Sequence, residues 1–179
     1  MNKRILSLAV PNIISNVTVP LLGMVDLALM GHLDNKAFIG AVALGSMIFN
    51  FIYWGFGFLR MSTSGFVAQE FGRRDFTQVM VNLARPLALA LTAGLLLIVM
   101  QLPIASLAFW LVDSSPEVES YARQYFHIRI YAAPATIGLY AISGWFIGMQ
   151  NTRLPMLVAV SVNLINIVLS YTFVRGFGM

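Results

Sequence analysis

Cysteine is absent from the 179 residues, which excludes a disulfide scaffold, a thiolate metal site and a cysteine nucleophile. Charge is scarce as well: 10% of the residues are Asp, Glu, Lys or Arg, against about a quarter in ordinary soluble domains. The two histidines, His32 and His127, stand far apart in the chain and give no basis for a metal site. No Gly-rich loop with Lys cradles phosphates, so nothing supports an ATP-driven pump, and no Ser/His/Asp set or zinc-binding helix motif supports a hydrolase. The reading is therefore of a protein that is not an enzyme and carries no cofactor.

What the chain has instead is apolar length. Hydrophobic residues make up 59% of it and the mean hydropathy is +0.80. A helix needs about 20 predominantly apolar residues to cross roughly 30 Å of hydrocarbon, and five stretches qualify: 5–31, 38–71, 79–102, 118–149 and 154–174. Breaks fall at His32–Lys36, Gly72–Asp75, Asp113–Glu117 and Gln150–Arg153, all rich in turn formers and charge. The segment from Pro103 to Val112 reads as an end of the third helix or an interfacial piece. Lys3 and Arg4 precede an apolar stretch too long for a signal peptide, and Pro11, Asn12, Asn16, Pro20 and Asp26 lie within it, so it reads as a retained first span. The fold class is an all-α membrane protein, a polytopic bundle forming a single transmembrane domain.

The net charge of +4 arises from Lys and Arg placed singly or in pairs beside the apolar stretches, a pattern of membrane topology and not of nucleic-acid binding. Lys3, Arg4, Arg73, Arg74 and Arg153 fall on one side, with Arg85 close by. Lys36, Arg123 and Arg175 fall on the other, with Asp113, Glu117 and Glu119. The positive-inside rule then places the amino terminus in the cytoplasm.

Asp26 is the sharpest chemical signal, because a carboxylate at the centre of a membrane helix costs about 2.5–3.5 kcal/mol and normally marks an ion or proton path. Near the outer interface it would instead only snorkel. At about 100° per residue, Asn12, Asn16 and Gly23 lie within roughly 80° of it on the helical wheel, giving the first span one polar face. Burial would raise its affinity for a proton and a nearby cation would lower it. Pro11 and Pro20 each remove a backbone hydrogen bond, which permits bends and frees carbonyls, or serves packing alone. Asn163, Asn166 and Ser170 share one face of the last span, where they can hold a cation or solute or join helices. Arg60 and Arg129 lie within spans and need water, carboxylate or carbonyl partners.

Val19-Pro20-Leu21-Leu22-Gly23-Met24-Val25-Asp26 with Met30-Gly31-His32-Leu33 resembles the first helix of the multidrug and toxic compound extrusion (MATE) transporters, in particular the bacterial DinF-like branch. Leu59–Gly65, Ala68–Gly72, Gly144–Gln150 and Asn163–Leu169 resemble that branch in the same order. The resemblance covers this chain but less than half of a twelve-helix, two-lobe family member, and implies an N-terminal lobe lacking its sixth helix, with the C-terminal lobe as a missing partner.

The resemblance implies a secondary active antiporter in the bacterial inner membrane, exporting small organic, often cationic, compounds in exchange for H⁺ or Na⁺. It makes Asp26 the carboxylate that takes the coupling ion and Asn166 its neighbour, with Na⁺ at Asp26 and Asn166 as the metal reading. Pro11 matches a proline at which the first helix bends, and Leu22, Tyr140, Ser143 and Asn163 match the cavity wall. Many relatives carry a second carboxylate where this chain reads Asn166-Ile167-Val168-Leu169-Ser170. Ser170 can offer an oxygen to Na⁺ but cannot share protons with Asp26. A non-transporting membrane fragment or assembly subunit is one alternative. A flippase for lipid-linked oligosaccharides is another, for which more basic cavity residues are expected.

Overall fold

The computed structural model describes residues 9–11, 13–14, 17–18, 23–24 and 37–176. Its bounded helices are α1 (Ala37–Trp54), α2 (Gly57–Arg73), α3 (Phe76–Val99), α4 (Gln101–Leu111), α5 (Pro116–Arg129), α6 (Ala133–Gly148) and α7 (Arg153–Gly176), with a 3₁₀ turn, Ile130–Ala132, joining α5 to α6. The described residues of the first predicted span are also helical, and no strand occurs among the described residues. Ala37–Arg73, Phe76–Val99, Pro116–Gly148 and Arg153–Thr172 are each long and apolar enough to cross a membrane. The protein is an all-α membrane protein.

The chain forms two compact units, one of Asn35–Met149 and the other of Met1–Asp34 with Gln150–Met179. In the first, α1 packs on α5, α2 on α6, and α3 on both α2 and α6. Two long rods are thus each broken near the middle and paired half with half. At 1.5 Å per residue the 37 residues of Ala37–Arg73 extend about 55 Å, well beyond the hydrocarbon thickness.

The breaks have local causes. Between α1 and α2, Gly55 and Gly57 flank Phe56, and the backbone tightens to three-residue spacing, with Phe56 N–H donating to the Tyr53 carbonyl and Leu59 N–H to the Phe56 carbonyl, both at 3.0 Å. Between α5 and α6, Pro134 has no N–H to give the Ile130 carbonyl four residues back. That carbonyl accepts instead from Ala133, one step earlier, and a 3₁₀ turn results. Pro103 likewise denies a partner to the Val99 carbonyl, so α3 stops there and 101–111 is a separate helix, not a continuation of α3.

The α2–α3 corner is built by capping. Arg74 takes a left-handed backbone (φ 62), and the N–H groups of Arg74 and Asp75 donate to the carbonyls of Phe71 and Glu70, closing the end of α2. Asp75 then caps α3, its carboxylate accepting from Gln78 N–H at 3.0 Å.

Lipid is as apolar as leucine, so close packing and not burial of oil from water must hold these helices together. The tightest contacts are glycine against backbone. A β-carbon at Gly144 would stand 2.5 Å from the Arg60 carbonyl oxygen, and one at Gly148 would stand 2.8 Å from that of Ser64. Gly94 meets the Pro134 backbone in the same manner. Phe49, Phe126, Leu59, Ile130 and Ile137 fill the centre, with Phe49 and Phe126 stacked at 5.1 Å.

Candidate functional site

In the unit containing α7, the less exposed positions Pro155, Met156, Ala159, Val160, Asn163, Ile167 and Ser170 recur at helical spacing, so one stripe of α7 is covered. Asn163 is the buried member, 8% exposed, and its Nδ2 has no hydrogen-bond partner among the described residues. An amide left in that state costs about 1–3 kcal/mol. Ser170 is half-buried on the same stripe, whereas Asn166, about 60° round the helix from Asn163, is exposed. Pro11 is buried in a helical stretch. Asp26, Leu22 and Pro20 lie outside the described residues, as do Asn12 and Asn16.

Tyr140 and Ser143 lie on α6, in the other unit, and both are half-buried. Tyr140 packs against the apolar core there. No group of His, Asp and Glu able to hold a metal occurs among the described residues. His127 is occupied otherwise, its Nδ1 lying 3.2 Å from Oε1 of Gln101, a contact that ties α5 to α4.

Arg129, the last residue of α5, is met differently from the expectation of water, carboxylate or carbonyl. Its Nη1 donates to the Ser46 hydroxyl at 3.0 Å and to the Tyr125 hydroxyl, and those two oxygens lie 3.3 Å apart. The guanidinium also sits over the Phe49 ring at 5.1 Å and the Tyr125 ring at 5.4 Å. Hydroxyls and ring faces thus replace a counter-charge, and no carboxylate pairs with it among the described residues. Gly45 makes this possible: a β-carbon there would overlap the Tyr125 ring, standing 2.8 Å from Cε1. The ring can therefore lie against α1 and deliver its hydroxyl to Ser46. Composition could not reveal this cluster, because Ser46 and Arg129 are 83 residues apart. The glycine contacts of α6 did have a signal in sequence, the Gly144-x-x-x-Gly148 spacing.

A hollow of about 330 Å³ between α1 and α4 is walled by Met47, Phe51, Leu107 and Leu111 among other apolar residues and offers nothing polar to a charged solute.

Several helices long and apolar enough to cross a membrane, closely joined through glycine, define a polytopic helical membrane protein. The MatE family model matches residues 11–172, and the chain belongs to that family, whose members are transporters and not enzymes. It is 41% identical over 178 residues to DNA damage-inducible protein F of Escherichia coli (strain K12), a match covering 99% of this chain and 39% of that protein. Among solved structures it is similar to a MOP superfamily transporter from Pyrococcus furiosus described as having a binding pocket of reversed polarity (TM-score 0.87, 25% identity, 99% of this chain and 39% of that one). It is also similar to a multidrug resistance MATE family transporter in an outward-facing conformation (TM-score 0.85, 25% identity, the same coverage). The chain spans about 39% of the length of these relatives.

Proposed function

We propose that this chain is the N-terminal part of a secondary antiporter that exports small organic, often cationic, compounds in exchange for H⁺ or Na⁺, with its amino terminus in the cytoplasm of a bacterial cell and its bundle in the inner membrane. Family membership supports the transport activity, and the buried, unpartnered amide of Asn163 is the observation that carries the site. A polar side chain in a membrane helix with nothing to bond to is costly, and a passing solute or ion is a partner that would relieve it.

In this reading Asp26 takes the coupling ion. Asn166 and Ser170 contribute oxygens beside it, and Leu22, Asn163, Tyr140 and Ser143 line the solute's path. Carboxylate and carboxamide oxygens suit Na⁺ as hard ligands, and Asp26 alone suffices for one proton. Alternation between two access states changes the surroundings of that carboxylate and with them its hold on the ion. Pro11 and Pro20 are the points at which the first span bends, and a C-terminal lobe completes the cavity.

The test is efflux from proteoliposomes containing the complete protein, with H⁺ and Na⁺ gradients imposed separately. Asp26→Asn is expected to abolish coupling to whichever gradient drives transport. Unchanged pH and Na⁺ dependence in that variant would remove Asp26 from the mechanism.

A further inference from the structure

Between α2 and α3 lies a cleft of about 190 Å³. Its polar lining is Ser62, Thr63, Asn82 and Arg85, and no Asp or Glu lines it. The Ser62 hydroxyl is committed, donating to the Leu59 carbonyl at 3.3 Å. The other three are free. Thr63 is 2% exposed and its hydroxyl has no partner, while the side chains of Asn82 and Arg85 make no hydrogen bond or ion pair among the described residues. A backbone acceptor is also left open: position 86 is proline, so the Asn82 carbonyl lacks the amide that would bond it in α3.

Arg85 is nine residues into α3, about 14 Å along the helix from Phe76, within a stretch apolar enough to cross a membrane. A guanidinium at that depth without a counter-ion is costly and calls for an anion. Its planar fork of N–H groups matches phosphate oxygens in pairs. Phe58, Phe66 and Leu89 line the same cleft and are each more than half exposed, leaving apolar surface beside the donors.

We propose that the α2–α3 cleft binds a phosphate-headed amphiphile, with the phosphate on Arg85 and Asn82, a headgroup hydroxyl or ammonium on the Asn82 carbonyl, and acyl chains along Phe58, Phe66 and Leu89. The site uses none of the residues assigned to transport and stands independently of that reading.

Native mass spectrometry of the complete purified protein tests it with three probes. These are phosphatidylglycerol, diacylglycerol with the same chains and no phosphate, and glycerol 3-phosphate with no chains. Phosphatidylglycerol is expected to bind about tenfold or more tighter than diacylglycerol, the worth of a charge-assisted hydrogen bond. Arg85→Gln is expected to erase that preference and Arg85→Lys to keep part of it. Arg74→Gln, which removes the same charge outside the cleft, is expected to change nothing. Arg85 is exposed, so its replacement leaves the core intact. Equal binding of the two lipids by the unaltered protein, or undiminished preference in Arg85→Gln, overturns the proposal. Displacement of phosphatidylglycerol by glycerol 3-phosphate at equal concentration overturns the lipid and assigns the cleft to a soluble phosphate ester.

Discussion

The carbonyl oxygen of Arg60 on α2 faces Gly144 on α6 so closely that a methyl group on that glycine would lie 2.5 Å from it. Gly144→Ala must therefore push two helix backbones apart, and an overpacked contact costs about 1–3 kcal/mol. Gly65, on α2, has nothing within 4 Å of its would-be methyl, so Gly65→Ala is expected to be neutral or to stabilise by up to about 1 kcal/mol through helix propensity. Thermal unfolding in detergent of the two variants checks the contrast. Equal effects would contradict the close approach.

Arg129 and Tyr125 are expected to behave as a unit. Tyr125→Phe keeps the ring under the guanidinium but removes the hydroxyl that accepts from it. The loss is expected to be about 1.5–3 kcal/mol, the range for a hydrogen bond to a charged group. A double-mutant cycle with Arg129→Met should return a coupling energy of about 0.5–3 kcal/mol. Additive effects would mean that the hydroxyl and the guanidinium do not share their energy.

Asp75 caps α3 from outside the membrane-crossing stretch. Asp75→Ala is expected to cost about 1 kcal/mol, and Asp75→Asn, which keeps an acceptor oxygen, to cost much less. Hydrogen exchange of the first turn of α3 is the local readout, with faster exchange expected only in the alanine variant.

Asn163 gives a functional counterpart. Asn163→Ala removes a polar group whose Nδ2 has no partner among the described residues, so fold stability should change little or rise. Transport by the complete protein in proteoliposomes should fall if that amide meets the solute or ion. Unchanged efflux together with a large loss of stability would make Asn163 a packing residue.

The membrane class was legible because apolar length is written locally, in runs that only a bilayer can accept. The helix breaks were partly legible. Those between the spans, at Gly72–Asp75, Asp113–Glu117 and Gln150–Arg153, fall where turn formers and charge gather, but the joint at Gly55–Gly57 lies inside the stretch 38–71, read as one span, and the 3₁₀ turn at Ile130–Ala132 depends on an amide missing from Pro134 inside the stretch 118–149. The segment Pro103–Val112 reads equally as an end of the third helix or an interfacial piece, because its apolar sequence runs on from α3 and only the amide missing from Pro103 divides the two helices. Asn163 stood out as a polar residue in an apolar span, whereas the shared-face argument carried Asn166 only to the exposed edge of the stripe. The Arg129 cluster was illegible because Ser46, Gly45 and Tyr125 acquire meaning only when α1 and α5 are laid side by side. Asp26, the acid with the clearest signal in the sequence, falls outside the described residues.

The paired interruptions of the two long rods bear on how a disturbance spreads. An unbroken helix of 37 residues would act as a lever, carrying a tilt at one membrane face to the other. Here each rod has a joint, at Phe56 in one and at Ile130–Ala132 in the other, and segments on the same side of the joints are clasped to each other, α1 to α5 and α2 to α6. A rotation imposed on the α1–α5 pair can therefore be absorbed at the joints by a few backbone torsions, leaving the glycine-locked α2–α6 pair in place.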